Sequence, residues 1–240
     1  LTETGTSDLD RVQLARRIGS QTGGVYTTFL KEQPYKDGRV SDPDTLVSYL
    51  FVRGKAVTEK VPQLMSIVFD VLTDANLDSQ QRVVEMLKET KARLQASISG
   101  SGHSYANTRV EGRYTLDGYI KELQGGVSYV GTVRDLLLQA ENDWPSLKAR
   151  LECLRTTLLS KNKFLINLTG DQAMPSVSDF LSRLPEETTA SVKDTRSLAE
   201  QATLLVEKNE GFVVPTQVNY VVKGGQLYQP GEVAPGHTTV

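Results

Sequence analysis

The sequence predicts an α+β fold, a largely antiparallel sheet with helices packed on one face, incomplete at both ends. Three observations carry this reading. β-Branched and aromatic stretches stand near both ends of the 240-residue chain, and segments with apolar residues at helical spacing dominate its middle. The order of elements is two strands, a helical block, a strand, a helix, a linker and a strand, which is not the strict alternation of a parallel doubly wound sheet. At this length the chain can bury a sizeable core, and it reads as one domain with part of a second.

Asp8 to Ile18 is the first predicted helix, with Leu9, Val12, Leu14 and Ile18 near helical spacing and Gly19 just past its end. "TGGVYTTFL" follows as a strand entered through a glycine pair. Residues 31–45 are polar and turn-rich, and "LVSYLFVRGKA" (46–56) is a second strand, able to pair with the first as a hairpin across a long loop. In the next segment Val61, Leu64, Met65, Val68 and Leu72 form one stripe, and Pro62 is tolerable because it falls in the first turn. A further helix opens at Asp78, with Gln81 three residues on as in a capping box, and runs to about Ile98.

It stops at a Ser/Gly hinge in "SGSGHSYANTR" (99–109). Shorter helices punctuated by glycine pairs follow, then an amphipathic helix in "DWPSLKARLECLRTTLLSKN", with Pro145 at its start and Leu147, Leu151, Leu154 and Leu158 along one face. "KFLINLTG" alternates as a strand does, and "PSVSDFLSRLP" reads as a short helix. From Glu186 to Gly211 the composition turns polar, which predicts an interdomain linker. "FVVPTQVNYVVKGG" after it has Val214, Thr216, Val218, Tyr220 and Val222 on one face of a strand.

Composition excludes several classes. With 27 Lys and Arg against 29 Asp and Glu the net charge is −2, and no basic run forms a stripe that could neutralise phosphates, so no nucleic-acid partner is expected. No apolar run approaches the roughly twenty residues that cross a bilayer, so no membrane partner is expected either. A single Cys153 cannot form an internal disulfide and fits a reducing compartment such as a cytosol, matrix or stroma. A start without Met inside an apparent element, and an abrupt "GEVAPGHTTV" at the other end, read as an excised piece.

The chemistry-bearing residues are sparse. A zinc site needs three or four His, Cys or carboxylate ligands, whereas the chain has only His103, His237 and Cys153, without H-x-x-E-H, H-E-x-x-H or C-x-x-C spacing. "GSGHS" sets Ser101 beside His103 but is not G-x-S-x-G, and neighbouring residues seldom face each other productively. Cys153 lies beside a leucine stripe, and the glycine pairs lack the residues that complete a nucleotide loop. The hinge with His103 and Arg109 has two readings, a functional surface or a joint between helices. The residues alone describe a noncatalytic α+β domain with a surface to offer.

"LTETGTSDLDRVQLARRIGSQTGG", "LFVRGKA", "GSGHSYANTR", "LQGGVSYV" and "PTQVNYVVKGG" occur in an order that resembles the C-terminal half of the presequence proteases, of plant or algal type, within the pitrilysin and insulin-degrading superfamily. The resemblance is weakest over 33–45 and in the linker. It implies a zinc metalloendopeptidase of the chloroplast stroma or mitochondrial matrix that degrades cleaved targeting peptides and other short unstructured peptides. Such enzymes close two halves around a chamber.

In that scheme residues 1–185 resemble the third metallopeptidase-like domain, lacking its first strands, 186–211 the linker, and 212–240 the start of the fourth. The inverted zinc motif belongs to the first domain, so the Zn2+ is expected outside this chain, and no catalytic or metal-ligating residue is assigned here. His103 and Arg109 are the candidate substrate-chamber residues. The expected partners are unstructured peptides and the remaining domains of the same polypeptide. The alternative is a catalytically empty scaffold or interaction domain of the same fold.

Overall fold

A computed structural model of the chain describes residues 1–32, 35–36, 39–40, 46–159, 164–170, 174–185, 205, 208–214 and 217–225. Among these are α1 (Arg11–Gln21), β1 (Val25–Glu32), β2 (Tyr35–Lys36), β3 (Arg39–Val40), β4 (Val47–Gly54), α2 (Val61–Thr73), α3 (Gln80–Glu111), α4 (Leu116–Gly125), α5 (Val127–Asn142), α6 (Trp144–Leu158) and α7 (Met174–Ser182). The class is α+β, as the sequence predicts.

Asp10 fixes the start of α1 with a capping box: its carboxylate accepts from the Gln13 N–H at 2.8 Å, and the Gln13 side chain accepts from the Asp10 N–H at 2.9 Å. Gly19, expected just beyond this helix, lies inside it. The helix closes instead at Thr22, whose N–H and hydroxyl both donate to the Ile18 carbonyl, at 3.0 and 2.7 Å. An interior glycine costs only about 1 kcal/mol, which these bonds offset.

β1 pairs with β4. The ladder is led in by the Gly23 N–H donating to the Lys55 carbonyl at 2.7 Å and the Lys55 N–H donating to that of Gly24 at 3.3 Å. With 23–24 opposite 55, the strands run antiparallel. Gly24 has a φ of 119°, a region side chains rarely enter. β2 and β3 form a small antiparallel pair of their own, Tyr35 opposite Val40 and Lys36 opposite Arg39.

The chain divides into two compact units, the described residues within Leu1–Leu30, Tyr49–Val84 and Gln139–Thr195, and those within Lys31–Ser48, Glu85–Leu138 and Arg196–Val240. The core of the first is Leu14, Val25, Leu64, Ile67 and Val71, with Val52 and Val68 packed against it. The apolar stripe of α2 turns slightly from its predicted line, because Ile67 and Val71 are buried beside Leu64 and Leu72. A second cluster joins Leu72, Phe180 and Leu184, and Phe69 and Phe164 meet the Phe180 ring edge-on at 6.0 and 5.9 Å. Val25 and Val52 face these helices, whereas Tyr26, Phe29, Tyr49 and Phe51 of the same ribbon are exposed.

Asp78 does not cap α3 as its position suggests. Its carboxylate accepts from Trp144 Nε1 at 3.0 Å and from Lys148 Nζ at 2.6 Å, tying the loop before α3 to the start of α6. α6 takes its N-cap from Asp143, which accepts from the Ser146 N–H, and Pro145 sits in its first turn.

In the second unit, Thr115 caps α4 by accepting from the Gly118 N–H at 2.9 Å, and Leu116, Ile120, Val133 and Leu137 are buried. Lys31 Nζ reaches the Asp117 carbonyl at 2.8 Å and its carboxylate at 2.7 Å. Burial pushes Asp117 up, but bonds from Lys121 and Lys31 outweigh it and hold the carboxyl below its usual range.

The strands expected in "KFLINLTG" and "FVVPTQVNYVVKGG" are not formed among the described residues there, which belong to no strand or helix. Leu165, Val213 and Val221 point into solvent. An alternating pattern makes a segment fit to be a strand; a ladder also needs a partner edge.

Candidate functional site

α3 carries the hinge. It spans 32 residues but is broken at Ser101, whose φ of −125° and ψ of 24° are not helical. The Ser/Gly stretch is therefore a kink from which the helix resumes at once, not an end. The Ser97 and Tyr105 hydroxyls share a hydrogen bond of 2.8 Å across the bend.

The resumed half of α3 presents His103 and Arg109, and the turn that follows it presents Arg113. His103 is exposed, and its ring lies 5.6 Å from that of Tyr220 at an interplanar angle of 50°. Arg109 is held in a dense ionic cluster. Its Nε and Nη2 donate to the two oxygens of Glu210, both at 2.9 Å, and its Nη1 donates to Glu122 Oε1 at 3.0 Å and Ser128 Oγ at 3.1 Å. Arg113 Nη2 donates to Glu210 Oε2 at 2.6 Å, and the Phe212 ring lies 5.9 Å from the Arg109 guanidinium.

Burial sets the stakes of this cluster. The Glu122 side chain is 0% exposed, and its Oε1 also accepts from the Ser128 N–H at 2.9 Å. Its Oε2 is buried without a hydrogen-bond partner. Hydrogen bonds from Arg109 hold the Glu210 carboxyl at about 2, far below the ordinary range, and the same contact raises Arg109.

The two sequence-predicted candidates therefore share one helix and have different surroundings: His103 faces solvent and Tyr220, whereas the Arg109 fork is filled by carboxylates. Sequence reasoning did not identify Glu122, Ser128, Glu210 or Phe212. Glu210 is 101 positions from Arg109, and no local spacing signals such a pair.

Ser101 lies at the kink, and Cys153 is exposed on α6. Among the described residues no group of three or more His, Cys, Asp or Glu side chains could hold a metal ion. The described residues therefore bring together no donor set for a zinc ion, and His237 lies outside them. Among the described residues, too, no helix is long and apolar enough to cross a membrane.

A protein-family model for the region associated with peptidases of the M-16C group matches residues 1–136. The chain is 32% identical over 236 residues to "Presequence protease 1, chloroplastic/mitochondrial" of Arabidopsis thaliana, covering 96% of this chain and 21% of that protein. It is 24% identical over 231 residues to "Protein HypA" of Clostridium perfringens, covering 96% of this chain and 23% of that protein. To "Presequence protease, mitochondrial" of Debaryomyces hansenii it is 28% identical over 145 residues, covering 58% and 13%. The chain thus spans between 13 and 23% of the length of these relatives. With more than half of its residues matched by the family model, the chain belongs to the peptidase M-16C associated family.

Proposed function

We propose that this chain is a noncatalytic wall of the chamber of a zinc metalloendopeptidase that degrades cleaved targeting peptides and other short unstructured peptides. The observation that carries the reading is the peptidase-family match over residues 1–136, joined to similarity along 96% of the chain to a presequence protease about five times as long. The relatives' names support a site of action in the chloroplast stroma or mitochondrial matrix. Zinc would be bound by other parts of the longer polypeptide, where the family resemblance places the inverted zinc motif.

The proposed domain plan assigns 1–185 to the third metallopeptidase-like domain, 186–211 to a linker and 212–240 to the start of the fourth. His103 would touch peptide from the exposed side of the kinked helix. Arg109 would contribute beneath it by fixing the surface with its carboxylate partners. The wall would limit entry to chains that can thread in unfolded, with the remaining domains as its constant partners.

The test is cleavage of an unstructured fluorogenic peptide by the purified chain with zinc, alone and mixed with the separately expressed remainder of the polypeptide. Silence alone and chelator-sensitive cleavage in the mixture are expected. Chelator-resistant cleavage by the chain alone would overturn the reading.

A catalytically empty scaffold of the same fold is the second reading. The exposed Tyr26, Phe29, Tyr49 and Phe51 on one ribbon favour it, because clustered apolar surface marks association. A mixture that assembles but never cleaves would support the scaffold.

A further inference from the structure

We propose that the resumed half of α3, together with the turn that follows it, is a docking groove for an acidic-aromatic segment, and that residues 208–214 and 217–225 of this chain fill it, latched by Glu210. The basis is geometry within the second unit, independent of the peptidase reading.

The contacts are spread along the groove. At one end the Tyr220 ring lies over Gly102, where a side chain's Cβ would come within 2.5 Å of Tyr220 Cδ2. The absent side chain is thus the seat for the ring, and His103 flanks it at 5.6 Å. At the other end the Leu205 N–H donates to the Gly112 carbonyl at 3.3 Å. Tyr114 Oη donates to the Gly224 carbonyl at 3.1 Å, and Gly224 lies against Val110, whose Cγ1 would be 2.5 Å from a Cβ there. At this same end the Glu210 carboxylate is gripped by Arg109 and Arg113, with Phe212 over Arg109.

The described residues of the segment form no ladder or helix, so helix or sheet bonding does not hold them in place. Their fixity comes from these side chains. Of them the two-arginine grip is the strongest single contact, because charge-assisted, bidentate hydrogen bonds exceed neutral ones about twofold. Among the described residues the charged groups facing Glu210 are basic, Arg109, Arg113 and Lys208, the last at 3.5 Å. Glu122 lies on the far side of Arg109 and keeps that guanidinium oriented when the latch opens.

The test measures amide hydrogen exchange of the whole chain for wild type, Glu210→Gln, Arg113→Gln and the double variant. Each single variant is expected to speed exchange of amides in 208–214 by roughly ten- to a hundredfold, the range for losing a charge-assisted bond. The double variant should be no faster than the faster single one, and protection in α4 and α5 should be kept. Additive effects, or unchanged exchange in 208–214, would overturn the latch.

A labelled synthetic peptide of residues 208–225 supplies the second readout, by fluorescence anisotropy. It should bind the Glu210→Gln chain at least tenfold more tightly than wild type, whose groove is filled. A peptide carrying glutamine at the position of Glu210 should bind more weakly. Equal binding of both peptides, or none, would overturn the groove.

Discussion

The carboxylate of Glu122 folds back over Gly126, so that a Cβ at position 126 would overlap Glu122 Oε2. The glycine leaves room for the acid, which receives Arg109 near the end of α4. Gly126→Ala forces the buried carboxylate out of its pocket and leaves Arg109 short of a partner. We expect a loss of about 3 kcal/mol, in the range for breaking a buried pair, read as a lower midpoint in urea unfolding. A midpoint within error of wild type would refute this reading of Gly126.

Glu210 gives the second unit an acid-sensitive contact. Its carboxyl titrates at about 2 when folded, against 4.5 ordinarily, because Arg109 and Arg113 hydrogen-bond the charged form. A depressed pKa contributes stability that is complete above 4.5 and is lost as the pH falls from there towards 2. Unfolding measured across that window should show wild type losing stability more steeply than Glu210→Gln, and parallel slopes would count against the assignment.

Ile67 is fully buried at the centre of the first core, among Leu14, Leu64 and Val71. Ile67→Ala should cost about 3 kcal/mol from lost transfer energy and the cavity left behind. For a chain of this size that lowers Tm by roughly 10 °C, measurable by calorimetry.

The β1–β4 ribbon presents Tyr26, Phe29, Leu30, Tyr49, Leu50 and Phe51 to solvent. Such a patch on a ribbon that is two-stranded among the described residues favours pairing between copies. Sedimentation should show association of this chain that increases with concentration and is reduced in Phe29→Lys/Phe51→Lys. A stable monomer at all concentrations would be contrary to this.

What could be read in the sequence was local. Pro62 and the apolar spacing after it located α2, Asp143 and Pro145 located the start of α6, and the glycine pair at 23–24 located the entry to β1. The hinge was visible as a break, although the bond between Ser97 and Tyr105, which carries the helix across it, was not.

The failures were nonlocal. "KFLINLTG" carries the right alternation, but alternation does not provide the neighbouring strand that a ladder requires. Arg109 stood out because it follows the hinge. Its meaning depends on Glu122 and Glu210, which reach it from α4 and from a segment about a hundred residues away. Ion-pair partners are chosen by the tertiary path of the chain, and composition near Glu210 gave no sign of it.

The bend at Ser101 has a mechanical consequence. An unbroken rod passes a twist at one end to the other, whereas a residue with non-helical backbone angles gives it a point at which to bend. Gly100 and Gly102 flank the gap, and nothing lies within 4 Å of where a Cβ on Gly100 would stand. The Ser97–Tyr105 bond spans this compliant point like a splint, giving the bend one preferred angle.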